Sequence, residues 1–158
     1  MYQLRAATEG DVEAIATIWH RGWFDGHLGH VPDSLYEHRR FDDFRTRVPA
    51  RLDATTVASD GEQVVGFVVV HADEVEQIYV APPARGSGVA SELLGHAETV
   101  IGACHDRAWL AVVAGNDRAR RFYARHGWHD SGAFDYPAEA GDTTLTVPVQ
   151  RYEKAVQR

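Results

Sequence analysis

The chain is short of cysteine, of clustered basic residues and of long apolar runs, and each shortage excludes a class of protein. Its one cysteine, Cys104, excludes an intramolecular disulfide. Because Cys104 falls in an apolar helical pattern, we expect a buried structural thiol. The formal net charge is −7, with both signs mixed along the chain. A nucleic-acid-binding surface needs clustered Lys and Arg, so no nucleic-acid partner is expected, whereas a cationic amine is compatible with this charge.

No apolar run approaches the roughly 20 residues of a membrane-spanning helix, so no membrane partner is expected. Residues 1–7 lack the apolar core of a secretion signal. These two absences predict a cytoplasmic protein. What is present is an ordinary globular composition, with 44% hydrophobic and 25% charged residues. The 158 residues are enough for one domain that buries a sheet, and no Pro/Gly/Ser-rich linker divides residues 1–158.

The hydrophobic periodicity predicts strands and helices in an order that mixes hairpins with βα crossovers. Predicted strands cover residues 4–6, 55–59, 63–71, 75–80, 109–113, 128–136 and 143–149. Predicted helices cover residues 8–23, 33–52, 89–104 and a segment from 116, with a loop at 24–32 and a turn at 139–141. The third helix is expected to bury Val100 beside Cys104. This order predicts an α/β fold with a mixed sheet.

A glycine-rich loop, Arg85-Gly86-Ser87-Gly88-Val89-Ala90, connects the strand at 75–80 to the next helix. The first N–H groups of a helix have no partner within it, and the helix dipole places partial positive charge there. Glycines at 86 and 88 let the backbone approach an anion closely, so the loop predicts a phosphate-binding site made of main chain. Tight helix–strand packing is the alternative interpretation. Ser91 replaces the third glycine of a Rossmann loop, and no Walker Gly-Lys-Ser/Thr is present, which excludes both of those nucleotide-binding loops.

A second motif, Asn116-x-x-Ala119-x-x-Phe122-Tyr123, lies downstream and is followed by Gly127-Trp128. With both motifs in this order, the chain resembles the GNAT superfamily of N-acetyltransferases, whose cofactor motif is Gln/Arg-x-x-Gly-x-Gly/Ala. The resemblance extends from residue 3 to about 150. It implies a GNAT fold, in which a mostly antiparallel sheet with helices on both faces splays open at a β-bulge. It also implies a cofactor core at about 62–128 and acceptor-side elements at about 9–54 and 128–150.

The resemblance implies acetyl-CoA as the cosubstrate and no metal. The backbone of the loop from Arg85 to Ala90 would hold the pyrophosphate, chiefly through the amides of Arg85, Gly86, Gly88 and Ala90. The backbone around Tyr79 and Val80 would pair with the pantetheine arm like an added strand. Asn116 would hydrogen-bond the pantetheine, and a plain helix N-cap is its structural alternative.

Acyl transfer to an amine requires a neutral amine, a polarised thioester carbonyl and a proton for the leaving thiolate. The resemblance assigns the proton donor to Tyr123, whose alternative is packing at a helix–sheet contact. A backbone N–H near Val80 would meet the carbonyl oxygen. Glu74 and Glu76 share a strand face, and either could take the amine proton through water or be a solvated carboxylate. We favour Glu76, which is nearer the bulge; Ala111 stands where some relatives carry a glutamate.

The acceptor pocket is expected between the first two helices and the final hairpin. Its candidate residues are Trp23, Phe24, His27, His30 and Tyr136, whereas Trp19 fits the core. The spacing of the histidines matches no zinc pattern, so no metal is expected and exposed histidines are the plainer interpretation.

The activity expected is direct transfer of an acetyl group from acetyl-CoA to a primary amine of a small molecule, in a ternary complex. Acetylation of a protein N-terminus or lysine is one alternative, and a non-catalytic acyl-CoA-binding module is another. Many relatives pair through their sheets or terminal strands, so the resemblance also implies a homodimer. The acceptor itself is not identified by these residues.

Overall fold

The computed structural model describes residues 2–157, which form seven strands and four α-helices joined by short 3-10 turns. The strands are β1 Gln3–Ala6, β2 Thr55–Asp60, β3 Gln63–His71, β4 Glu74–Val80, β5 Arg107–Val113, β6 His129–Ala140 and β7 Thr143–Ala155. The helices are α1 Val12–His27, α2 Phe41–Arg47, α3 Val89–Gly102 and α4 Asp117–Arg125. Within the described range, no helix is long and apolar enough to cross a membrane.

All seven strands form one sheet in the order β1-β2-β3-β4-β5-β7-β6. Every pairing is antiparallel except that of β4 with β5, where α3 carries the chain across. β6 forms the outer edge of the sheet, and the chain then turns back through the β6–β7 hairpin. β7 therefore lies between β6 and β5 and pairs with both. The predicted α/β fold with a mixed, mostly antiparallel sheet is confirmed.

Each face of the sheet buries its own core. On one face α1 and α2 pack over β3, where Trp19 lies 5.2 Å from Phe44 and 6.1 Å from Phe67 between ring centroids. On the other face α3 and α4 cover the sheet around Leu93 and Trp128. The amphipathic stripes of α1 and α3 account for this arrangement, since each helix has one face to bury. Helices on both faces, and Trp19 in the core, are as predicted.

Two predicted boundaries are wrong in the first third of the chain. α1 continues through His27, four residues into the predicted loop. The predicted helix at 33–52 is instead a 3-10 turn at Asp33–His38, then α2, then a second 3-10 turn at Pro49–Ala54. Arg39 follows the first 3-10 turn and ends it with a non-helical φ of −131°. Pro49 has no N–H group, so it cannot continue the hydrogen bonding of α2.

The expected burial of Cys104 is also wrong. α3 ends at Gly102, and Cys104 lies beyond it with an exposed side chain. Val100, predicted on the same face, is 45% exposed because the buried stripe of α3 runs through Leu93, Ala97 and Ile101. At the C-terminal end the last two strands are longer than predicted. The turn between them lies at 141–142, whereas it was predicted at 139–141.

Two glycines of α3 provide a test of how β7 packs on this helix. Gly95 has no atom within 4 Å of a built Cβ, whereas a Cβ on Gly102 would lie 2.2 Å from the Val156 carbonyl oxygen. We expect Gly95→Ala to raise the free energy of unfolding by about 0.5–1 kcal/mol through helix propensity. Gly102→Ala should lower it by about 1–3 kcal/mol through overpacking. Urea unfolding measures both, and equal effects in the two variants would contradict the described packing.

Candidate active site

The sheet opens between β4 and β5. These strands pair in register only at Glu74 and Trp109, next to the hydrogen bond of 3.0 Å from the Trp109 N–H to the Asp73 carbonyl oxygen. The cause lies in β4, where the pairing with β3 shifts between Val69 and Val70 and leaves Glu76 as an extra, bulged residue. Beyond the bulge the two strands line a cavity of about 890 Å³. The implied splay at a β-bulge is therefore present.

The register of β3 and β4 determines which backbone groups face this gap. The Ala81 N–H donates to the Val65 carbonyl oxygen at 2.8 Å. Hydrogen-bonded pairs alternate along an antiparallel ladder, so Tyr79 bonds to Phe67 on β3. The N–H and C=O groups of Ile78 and Val80 therefore point into the gap. Of the two residues proposed to pair with pantetheine, Val80 has a free backbone and Tyr79 does not.

The loop before α3 presents several free amides. Gly86 and Gly88 have φ angles of +80° and +93°, which favour glycine, and a Cβ on either would meet nothing within 4 Å. The first helical bond runs from the Glu92 N–H to the Gly88 carbonyl oxygen, so the amides of the first turn of α3 have no helical partner. A backbone anion site at this loop is therefore geometrically sound.

Two of the amides expected in that site are already used. The Arg85 N–H donates to the Pro82 carbonyl oxygen at 3.2 Å, and the Ser87 N–H donates to Ala84 at 3.3 Å. A short 3-10 turn at Pro82–Ala84 before the loop causes both bonds. The expected Arg85 amide contact is corrected accordingly. The Arg85 guanidinium instead pairs with Asp25 of α1 at 2.7 Å.

Cationic side chains line the same end of the cavity despite the negative net charge. α4 contributes Arg118, Arg121 and Arg125 to this wall. Ser91 and His126 are hydrogen-bonded at 2.8 Å and connect the start of α3 to the end of α4. The loop end of the cavity thus combines free amides with positive charge, which suits a polyphosphate.

α4 brings Asn116 and Tyr123 to the cavity wall. The Asn116 side-chain oxygen accepts the Ala119 N–H at 3.2 Å, so the N-cap interpretation is confirmed, and the amide NH₂ is not used by this cap. Tyr123 is 8% exposed and packs near Trp128 and Tyr152. Burial raises the pKa of its phenol. The proton therefore stays on the Tyr123 oxygen at neutral pH.

Glu74 and Glu76 both line the cavity but have different partners. Glu76 accepts the Arg51 Nε–H at 2.6 Å, as a largely buried ion pair. Glu74 accepts the Tyr136 hydroxyl at 3.1 Å, and burial raises its pKa. Because the Arg51 ion pair occupies the Glu76 carboxylate, Glu76 becomes the weaker of the two candidate bases.

Trp23 and His27 line the cavity from α1, where the acceptor pocket was predicted. Their rings stack at 4.6 Å, and Trp23 is 5% exposed. His27 Nδ1 donates to the Trp23 carbonyl oxygen at 2.7 Å, since a carbonyl can only accept. Burial lowers the pKa of His27 to about 4, so the ring is neutral at neutral pH and its Nε2 is an acceptor.

Two predicted pocket residues do not line the cavity. Phe24 follows Trp23 on α1 and therefore points about 100° away, where it packs against His20 and Tyr36. His30 is exposed and lies over Gly115. Three residues that were not predicted do line the cavity: Arg39, Arg47 and Arg51. Their only signal was a charged, weakly periodic segment that resembles a solvated helix.

In the part of the chain that the structure covers, no three His, Cys, Asp or Glu side chains come close enough to hold a metal ion. Among the ionisable side chains that line the cavity are Tyr123, the β4 carboxylates, His27 and the arginines.

Comparison with known proteins agrees with this geometry. The acetyltransferase (GNAT) family model matches residues 12–128. An uncharacterized N-acetyltransferase of Mycobacterium tuberculosis is 30% identical over 115 residues, which covers 67% of this chain and 70% of that protein. A GCN5-related N-acetyltransferase from Rhodopseudomonas palustris has the same fold, with a TM-score of 0.76 at 19% identity over 97% of this chain and 94% of the other. YncA from Salmonella typhimurium, solved with its cofactor acetyl-CoA, aligns with a TM-score of 0.72 at 14% identity over 100% and 95%.

Proposed function

Because this chain belongs to the acetyltransferase (GNAT) family, we propose that it transfers an acetyl group from acetyl-CoA to a primary amine of a small molecule, acting as one acetyltransferase domain. The observation that carries this proposal is the gap between β4 and β5. One cavity connects the amide-rich loop, the free backbone of Ile78 and Val80, and Tyr123. The acetyl-CoA bound to the similarly folded YncA supports the choice of donor.

The residues of the gap fit acetyl-CoA. Free amides at Gly86, Gly88 and the first turn of α3 would hold the pyrophosphate, and the α4 arginines would add positive charge beside it. Ile78 and Val80 offer backbone donors and acceptors to the amide groups of pantetheine, as an added strand does. The NH₂ group of Asn116 lines the same channel.

Bound acetyl-CoA would supply a thioester, whose acetyl carbon bonds to the amine nitrogen as the C–S bond breaks and CoA leaves as the thiolate. Tyr123 would lie beside the sulfur with its proton retained, because burial raises its pKa. An ordinary thiol has a pKa of about 8.5 and is a stronger acid than this buried phenol. Tyr123 therefore acts best as a hydrogen-bond donor to the leaving sulfur, and full proton transfer from it would be uphill.

Glu74 is the proposed proton acceptor for the amine, acting through water. Burial raises its pKa, which makes it a stronger base than an exposed carboxylate, and the Tyr136 hydroxyl holds its orientation. His27 is neutral, but a pKa of about 4 makes it a weak base. Its proposed role is to accept a hydrogen bond from the acceptor amine.

A small acceptor is favoured over a peptide because the acceptor-side wall is made of buried side chains. Trp23 and Arg39 are 5% and 3% exposed, and α1 covers this end of the gap as far as His27. Such a pocket suits a compact ligand. Acetylation of peptides with free N-termini or lysines, at rates above those for any small amine, would favour the protein acetyltransferase alternative.

Calorimetric titration with acetyl-CoA tests the donor site. Gly88→Glu places a side chain and a negative charge in the anion site, so we expect at least a tenfold loss of affinity. Gly61→Glu is the matched control, because Gly61 also has a positive φ of +65° and open surroundings but lies in the β2–β3 turn. This control should bind as the wild type does. Equal affinity in both variants, or no binding by the wild type, would contradict the proposed donor site.

Substitution of Tyr123 by Phe tests the chemical step. We expect kcat to fall by about 10²-fold or more, with acetyl-CoA affinity retained, because only the hydroxyl is removed. Tyr152→Phe is the control, since Tyr152 is also buried but its hydroxyl accepts from Arg120 Nε at 3.1 Å outside the cavity. Thiol release with an amine panel measures both. Unchanged turnover in Tyr123→Phe would remove this residue from the mechanism, and acetyl-CoA binding without turnover on any amine would favour a binding module.

A further inference from the structure

Three guanidinium groups line the acceptor end of the cavity, all from the segment between α1 and β2. Arg51 donates to Glu76 and to Glu139, each at 2.6 Å. Arg47 reaches only Glu139, at 3.6 Å, which Arg51 already engages. Arg51 and Arg47 therefore pair with Glu76 and Glu139, whereas the third arginine, Arg39, pairs with neither carboxylate.

Arg39 is buried without an ion pair. It is 3% exposed, and within residues 2–157 no carboxylate lies within 4.0 Å of it. Its Nη1 donates to the His38 carbonyl oxygen at 2.9 Å, and its guanidinium lies 5.5 Å from the Trp23 ring centroid. Its Nε has no hydrogen-bond partner in this range. Burial lowers its pKa to about 10, with a further decrease from the nearby Arg47, so Arg39 still carries its charge at neutral pH.

Arg47 lies beside it, and its ion pair with Glu139 is long, at 3.6 Å. Its Nε is also buried without a partner among the described residues, and its guanidinium lies 4.5 Å from the Trp19 ring centroid. Two buried cations side by side destabilise a fold, and Glu139 and Asp43 offset the desolvation of Arg39 only from beyond ion-pair distance. Stacking on two tryptophans holds both groups in place but satisfies none of their free N–H donors. A cavity lined by such cations favours an anionic group on its ligand.

The position of Arg39 and Arg47 indicates whether they would bind the phosphates of acetyl-CoA or an anionic group of the acceptor. The phosphates of acetyl-CoA would meet the loop at Gly86 and Gly88, at the far end of the cavity. Arg39 and Arg47 line the same cavity as Tyr79 and Tyr123, beside the Trp23 and Trp19 rings of α1. A small molecule at Tyr79 could therefore place its amine near Tyr123 and an anionic group at the arginines.

We propose that the acceptor carries a carboxylate together with its amine, as an amino acid does, and that Arg39 and Arg47 bind this carboxylate. The planar guanidinium fork matches a carboxylate, and both arginine side chains line the cavity. This inference rests on the proposed function and specifies the acceptor for the same site.

The first test compares acceptors. Common α-amino acids and their carboxamides are assayed as matched pairs by thiol release, with rates expressed per neutral amine because the carboxamide changes the pKa of the amine. We expect kcat/KM for the best amino acid to exceed that of its amide by about 10- to 100-fold, the usual contribution of a hydrogen bond to a charged group. A best acceptor without any carboxylate, with acetyl-CoA bound and turned over, overturns this inference and leaves the proposed function standing. No acetyl-CoA binding at all contradicts both.

The second test removes the charge. Arg39→Met should raise KM for the amino acid by about 10- to 100-fold and leave the rate with the amide and the affinity for acetyl-CoA unchanged. Arg39→Lys should recover part of the loss, since it keeps the charge without the fork. Arg40→Met is the control, because the neighbouring Arg40 side chain is 78% exposed and should have no effect.

The Tm without ligand distinguishes a binding role from a structural one. Removing an unpaired buried cation should leave the Tm of Arg39→Met unchanged or raised, so the variant is expected to fold. If Arg39→Met still prefers the amino acid over the amide as the wild type does, the carboxylate role of Arg39 is wrong, whatever the Tm of the variant.

Discussion

The site depends on one interruption of the sheet. β4 and β5 pair at a single registered position and then separate, which leaves the backbone donors and acceptors of Ile78 and Val80 facing a cavity instead of a strand. Unpaired backbone groups in a sheet interior are costly unless water or a ligand satisfies them. The bulge at Glu76 maintains this separation, and it also turns the β4 carboxylates towards the acceptor side. Donor site, acceptor pocket and candidate base therefore share one structural cause.

The covering helix α1 connects the two halves of the site. Gly22 and Gly26 lie where a Cβ would come within 2.3 Å of Tyr79 and 2.8 Å of Asn116, so α1 can cross the gap closely only with glycine at both positions. Asp25 on the same helix pairs with Arg85 of the amide loop at 2.7 Å. On the acceptor side, the Trp19 ring packs against the Arg47 guanidinium and the Trp23 ring against that of Arg39. One helix thus positions both the groups that we propose meet the donor and those that we propose meet the acceptor.

Local patterns were sufficient to predict the sheet class, the amide loop and the capping role of Asn116, since each depends on neighbouring residues. The arginine cluster could not be predicted, because it requires the broken helical segment from 33 to 54 to fold across the cavity. The partners of the β4 carboxylates are equally distant in sequence: Arg51 lies 25 residues from Glu76, and Tyr136 lies 62 from Glu74. Periodicity carries no information on such pairs, which explains why Glu76 was favoured as the base although an ion pair occupies it.

The most direct test of this account is residue-resolved amide hydrogen exchange by NMR, with and without saturating acetyl-CoA. Ligand binding slows exchange throughout a protein by stabilising it, so the informative quantity is the additional protection at single amides. The account predicts additional protection at Ile78 and Val80, which face the gap, and none at Tyr79, whose N–H already bonds to Phe67 on β3. Unchanged exchange at Ile78 and Val80 in a protein that has bound acetyl-CoA would contradict the claim that the open edge of β4 receives the donor.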